Sequence, residues 1–250
     1  MPHRALPAAA ALLACLLLAA APNTDAAQTA KLTARFTPEH LGDATTMGFG
    51  FQIAPVGVAP TPLTGMSIAY PQNLGFATSG LGIAACSDEV LEVLGPKGCP
   101  ENSQMGSGSA IVEIRIGPEL VRENVTLSVF AGPSPDGYLH LLVAASGETP
   151  VLALVVLSGV LEHGRLQVVI PPIPSLPEAP YVVVTQMQIT LGGHLTYYER
   201  VKGRNVPYHP AGVGLPSRCP RGGFAFAATF AFQDGSSSSA HTAIACPRRQ

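Results

Sequence analysis

Glycine and proline recur every few residues along this chain, and their spacing is the strongest constraint on its fold. The 250 residues include 26 glycines and 24 prolines. Both residue types interrupt helices, whereas short strands joined by turns tolerate them well. The sequence therefore predicts an all-β protein. We expect a β-sandwich, jelly-roll or immunoglobulin-like, of about a dozen strands with one short helix.

Alternation of apolar and polar residues marks individual strands. It is clearest at 110–116 and 121–130, and a period of two is the primary signal of a half-buried strand. Weaker alternation occurs at 31–37, 47–53, 66–70 and 165–170. All six segments are predicted to be strands.

Three nearly continuous apolar runs, at 139–145, 151–157 and 181–184, are bounded by glycine or proline. Buried strands are the favoured interpretation. The segment 151–161 also fits a helix, with Thr149-Pro150 at its start and Gly164 after its end.

One short helix is predicted after Ser87, which can accept a hydrogen bond as the N-cap residue. Asp88 and Glu89 follow in the first turn, where the helix dipole favours acids, and Gly95-Pro96 ends the run. Near the C-terminus, 224–232 and 239–245 are predicted to form a hairpin. Four phenylalanines share one face of its first strand, and Asp234-Gly235 begins the turn.

Four cysteines form two local pairs, Cys86 with Cys99 and Cys219 with Cys246. Their spacing contains no Cys-x-x-Cys, so disulfides are favoured over a zinc site. The first bridge would clip the helical turn, and the second would tie the ends of the last hairpin. The loop-entropy relation gives about 3 and 3.5 kcal/mol of stabilisation.

Residues 1–26 are predicted to be a signal peptide that directs secretion. His3 and Arg4 precede an apolar run from Leu6 to Ala21, and cleavage is expected after Ala26. The alternative is a lipid anchor on Cys15, because Leu12-Leu13-Ala14-Cys15 has the form of a loose lipoprotein box. No later stretch has the roughly 20 apolar residues of a transmembrane helix.

Residues 27–250 are predicted to form one domain, the alternative being two halves that separate near 171–180. Hydrophobic residues make up 47% of the chain and charged residues 12%, a balance that favours a large core over disorder. The formal net charge of −2 excludes a typical nucleic-acid-binding surface, which needs clustered Lys and Arg.

Few residues suggest chemistry. His194, Glu199 and His209 would suit a metal site or a hydrolase, but their spacing matches no known ligand pattern. The segment Gly80–Ala85 matches a relaxed dinucleotide fingerprint without the strand–helix–strand unit that such a site requires. We therefore predict no catalytic residue, no metal ligand and no cofactor.

Several strings of this sequence resemble a family of exported, disulfide-containing proteins of high-GC Gram-positive bacteria. They are CSDEVLEVLGPKGCPENSQMGSGSA (86–110), SLPEAP (175–180), LTYYERVKG (195–203) and CPRGGFAFAATFAFQDGSSSSAHTAIACP (219–247). The resemblance implies export and the two cysteine pairs. It implies no catalytic residue.

These observations predict an exported, non-enzymatic structural or binding protein of the cell envelope or extracellular space, with an envelope component or another protein as its partner. The alternative is a secreted hydrolase that uses His194, Glu199 and His209. Carbohydrate binding is less favoured, because the chain has no tryptophan to stack on sugars.

Overall fold

The computed structural model describes residues 28–54, 61–76, 84–149, 152–173, 181–192, 197–208 and 212–247. The predicted signal peptide with Cys15, the glycines of Gly80–Ala85 and most of the connector at 171–180 lie outside these residues.

The described residues form fifteen strands and one α-helix, and the all-β prediction is confirmed. The elements are β1 (Thr29–Thr37), β2 (Ala44–Ala54), β3 (Leu63–Ala69), β4 (Gly75–Phe76), α1 (Asp88–Leu94), β5 (Gln104–Ile116), β6 (Glu119–Ala131), β7 (Leu139–Gly147), β8 (Ala153–Glu162), β9 (Arg165–Val169), β10 (Val183–Leu191), β11 (Tyr197–Val201), β12 (Arg204–Tyr208), β13 (Val213–Gly214), β14 (Phe224–Phe232) and β15 (Ser237–Ile244).

Thirteen of the strands belong to one antiparallel sheet. Its order is β15-β14-β3-β9-β8-β7-β6-β5-β10-β2-β13-β4, and β1 also pairs with β2. The strands β11 and β12 form a separate two-stranded ribbon. The sandwich part of the prediction is not confirmed, because hydrogen-bonded neighbours follow one another without a break into two sheets. Strands that precede the connector at 171–180 are neighbours of strands that follow it. For example, β10 lies between β5 and β2, and β14 lies beside β3.

The sheet curls until its two ends meet. Strand β1 lies alongside β15. We call the line where β1 and β2 meet β14 and β15 the seam. Across it, the rings of Phe51 in β2 and Phe230 in β14 have centroids 5.0 Å apart. Phe36 in β1 meets Phe224 in β14 edge to face at 5.2 Å. The concave inner face of the curl therefore holds the core, and these aromatic contacts join the first strands of the chain to the last.

Strand β14 shows why the inner face is apolar. Its residues alternate strictly between buried and exposed. Phe224 and Phe230 are fully buried, and Ala228 is buried with them. The other alanines of the strand face outward. Strand β15 returns after the turn at Asp234-Gly235, so the predicted hairpin is confirmed. Side chains of successive strand residues point to opposite faces, and the same period sorts the other strands.

The helix packs on the outer face of the curl. Ser87 accepts a hydrogen bond from the amide of Val90 at 3.3 Å, as its predicted N-cap role requires. Leu91 is fully buried against a small cluster with Phe130 and Leu142, which point away from the interior. Both predicted disulfides are present, Cys86–Cys99 around the helix and Cys219–Cys246 at the ends of the last hairpin.

Residues 153–162 form a strand, so the helical alternative for this segment is wrong. Strand β8 pairs with β7 from Ala153 to Leu161 and with β9 from Ser158 to Glu162. These ladders hold the segment extended and place its apolar side chains on the two faces of the sheet. These long-range pairs override the local signals for a helix.

Strands β5 and β10 approach each other too closely at Gly108 for any side chain. A Cβ atom added there would overlap the carbonyl oxygen of Gln188. We expect Gly108→Ala to lower the free energy of unfolding by about 2 kcal/mol, because backbone atoms must move to accept the methyl group. Urea unfolding followed by far-ultraviolet circular dichroism measures the change.

Gly214→Ala is the matched control for this substitution. An added Cβ at Gly214 meets its nearest neighbour, the Cα of Gly75, at 4.0 Å, which is an ordinary contact. The expected change is within about 0.5 kcal/mol. Equal effects of the two substitutions would contradict the close approach at Gly108.

Candidate apolar ligand cavity

The curl encloses a cavity of about 180 Å³. Side chains of β2, β3 and β5–β10 line it, together with Phe226 of β14, and nearly all of them are aliphatic or aromatic. An apolar cavity of roughly 150 Å³ stays free of water and accepts a benzene-sized molecule. The interior of this protein therefore has room for an apolar ligand.

Small inward-facing residues on neighbouring strands create this space. Ala110 of β5 lies opposite Val125 of β6, and Gly147 of β7 lies opposite Ala153 of β8. Ala145 of β7, two residues before Gly147, also lines the cavity. A larger side chain at Ala110 or Ala145 would take up part of this space, as the phenylalanines of β14 do at the seam.

The cavity opens to solvent at the start of β8. The inward-facing positions of this strand run from Ala153, which is exposed, through half-buried Val155 to Leu161, which is 7% exposed. Beside the opening, Leu152 is 87% exposed. The opposite end is closed by buried aromatic side chains, among them Phe226 at 2% exposure. The mouth of the cavity therefore lies at the end of the curl where β7 ends and β8 begins.

Glu123 is the one charged residue among the described residues that line the cavity. It lies on β6 with Val112 as its partner on β5, and it is only 4% exposed. Its Oε1 atom accepts a hydrogen bond from the backbone amide of Thr149 at 3.1 Å. Thr149 lies two residues after the end of β7, on the side where the cavity opens, so this hydrogen bond holds the carboxylate at the mouth.

Tyr70 supplies the other polar group of the lining, at the closed end. Its backbone amide donates to the carbonyl of Gly164 in the turn after β8, at 3.1 Å. Its ring meets that of Phe76 edge to face, with centroids 5.1 Å apart. Burial raises the pKa of the Tyr70 phenol, so this group stays protonated and neutral at physiological pH. The two polar groups thus lie at opposite ends of β8.

The side chains of His194, Glu199 and His209, the residues of the hydrolase alternative, all lie outside the described residues. The backbone of Glu199 is part of β11 and pairs with Val206 of β12. Within the described ranges, no group of three or more His, Cys, Asp or Glu residues is placed to hold a metal ion.

Sequence analysis missed Glu123, although a signal for it was present. Glu123 has the same parity along β6 as Val121, Val125 and Leu127, so alternation places it on the inner face. An acid on an apolar face is rarely fully buried unless it has a partner. The cavity beside it, by contrast, depends on strand pairing and has no local signal.

Comparison with protein-family models, with curated proteins and with solved structures finds no match to this chain. Across the described ranges, no helix has the length and apolar character that a membrane span requires.

Proposed function

We propose that this protein is an exported, non-enzymatic binding protein that holds an apolar small molecule inside its curled sheet. The observation that carries the proposal is the cavity of about 180 Å³ with an almost wholly apolar lining and one open end. Ligand sites in proteins are typically concave and apolar, with a few polar groups that orient the ligand. Glu123 and Tyr70 are such groups here.

The energetic cost of the cavity supports a functional role. Cavity volume in a closed core costs about 24 cal/mol per Å³, which gives an upper bound of about 4 kcal/mol for this cavity when it is empty. Net stabilities of folded domains are only about 5–15 kcal/mol. A larger side chain at Ala145 would remove part of that cost. A bound apolar molecule offsets it by restoring the missing contacts.

Export is part of the proposal, and three observations support it. The two disulfides suit an oxidising compartment. Residues 1–26 have the form of a signal peptide, and the sequence resembles exported proteins of high-GC Gram-positive bacteria. In the envelope or extracellular space, the protein would carry or store its ligand, either freely secreted or anchored through Cys15.

Ala145→Leu tests the binding site, because Ala145 lines the cavity and the added carbon atoms reduce its volume. We expect the affinity for the uncharged fluorescent dye phenylnaphthylamine to fall by at least about tenfold, or about 1.4 kcal/mol. The stability of the variant is expected to stay equal or rise by about 0.5–2 kcal/mol, as in other cavity-filling substitutions. Dye titration and urea unfolding measure the two quantities.

Ala227→Leu is the matched control, since Ala227 is exposed on the outer face of β14. It adds the same atoms and should leave dye affinity unchanged. Equal dye binding by wild type and Ala145→Leu would overturn the proposed cavity site. Hydrolysis of ester, glycoside or peptide substrates that is lost in His194→Ala or His209→Ala would replace it with the hydrolase alternative.

A further inference from the structure

The position of Glu123 constrains the chemistry of the ligand. Its carboxylate lies at the mouth of the cavity, where a ligand that inserts its apolar part first leaves its polar head. An ionised carboxylate accepts hydrogen bonds at about four lone-pair positions, and the amide of Thr149 occupies one of them. A ligand head that donates hydrogen bonds therefore matches this group.

The charge of Glu123 is not balanced by a basic residue of the cavity lining. Its neighbour Arg122 lies on the opposite face of β6, where its Nε atom donates to Oε1 of Glu113 at 2.9 Å. The described lining residues include no Lys, Arg or His. Burying a carboxylate is costly unless an opposite charge or several hydrogen bonds accompany it. A cationic ligand head would supply both.

We propose that the cavity binds an amphipathic amine, with its ammonium group on Glu123 and its hydrocarbon chain toward Val143 and Leu157. The inference rests on the proposed binding function and adds the class of ligand to it. Charge-assisted hydrogen bonds between ammonium and carboxylate are stronger than bonds between neutral groups. An alcohol head donates one neutral hydrogen bond, and a carboxylate head brings a like charge to the same place. The expected order of affinity is amine, then alcohol, then carboxylate.

Octylamine, octanol and octanoate test this order because each has eight carbon atoms and a straight chain, and the head groups differ in charge and in hydrogen-bond donors. Each is titrated below its micelle concentration against purified protein loaded with phenylnaphthylamine, and displacement is followed by dye fluorescence. We expect wild-type protein to bind octylamine at least about tenfold more tightly than octanoate. In Glu123→Gln, this preference should fall to within about threefold.

Glutamine is suited to this test because its carbonyl oxygen can still accept the Thr149 hydrogen bond, which preserves the local fold. Two controls accompany it. Glu113→Gln removes an equally buried carboxylate from the outer face, at the same 4% exposure. Glu148→Gln removes an exposed charge next to Thr149. Neither should change the head-group preference, which separates direct contact with Glu123 from general electrostatic attraction.

The possible results separate the two proposals. Equal competition by octylamine and octanoate in wild-type protein would overturn the amine assignment and leave the cavity site standing. Persistence of the preference in Glu123→Gln, or its loss in Glu148→Gln, would overturn the role of Glu123. Dye binding that is insensitive to Ala145→Leu would remove the cavity site itself. Loss of preference in Glu123→Gln alone supports the assignment.

Discussion

Phe230→Ala is expected to lower the free energy of unfolding by about 4 kcal/mol, the middle of the range for truncation of a buried phenylalanine. Phe230 is fully buried, and its ring lies 5.0 Å from that of Phe51, centroid to centroid. The pair joins β14 to β2 where the ends of the curled sheet meet. The substitution therefore removes core volume and weakens the seam that keeps the curl closed.

Urea unfolding measures this loss, and two further variants calibrate it. Phe230→Leu keeps most of the buried surface and should cost about half as much or less. Leu152→Ala truncates a side chain that is 87% exposed, so a change within about 0.5 kcal/mol is expected. Phenylnaphthylamine affinity should fall together with stability in Phe230→Ala only. A loss below about 1 kcal/mol in Phe230→Ala would show that the seam does not depend on this contact.

Removal of the Cys219–Cys246 bridge by alanine at both positions is expected to cost about 3.5 kcal/mol. The bridge spans 27 residues in sequence and ties the start of β14 to the end of β15. In the loop-entropy account, a cross-link stabilises the native state by restricting the unfolded chain, more so for a longer loop. This hairpin forms one side of the seam. Loss of the bridge therefore also loosens the edge of the curl.

Alanine at both Cys86 and Cys99 provides the comparison, since that bridge spans 13 residues and clips a helix on the outer face. Its expected cost is about 3 kcal/mol, slightly less than that of the longer loop. Replacing both cysteines of a pair avoids a free thiol that would exchange with the remaining bridge. Unfolding of the two double variants under identical non-reducing conditions gives the difference. No destabilisation in either variant would mean that neither bridge restricts the unfolded chain appreciably.

Strand positions were predictable because their signals are local. The alternation at 110–116 and 121–130 reappears in β5 and β6, and the phenylalanines of 224–232 lie on one buried face of β14. Ser87 caps α1 as predicted, and both disulfides join cysteines that are near in sequence. Each of these features depends on neighbouring residues, so a single sequence contains the information.

The order of the strands was not predictable in the same way. Strand β10 pairs with β5 on one side and β2 on the other, and β14 pairs with β3, far away in sequence. An apolar face alone does not specify which other face covers it, so a sandwich and a single curled sheet share the same pattern of alternation. The expectation of a sandwich came from this ambiguity.

Local signals in the sequence placed the short strands, the inward-facing residues of the strands that alternate clearly, and the two bridges. Pairing between strands that are distant in sequence joined the inward faces into one curled sheet. It also decided that Ala110, Ala145, Gly147 and Ala153 meet around a cavity with Glu123 at its mouth. The physical reason is that a cavity is a volume left by residues from many strands, and no short stretch of chain encodes such a volume.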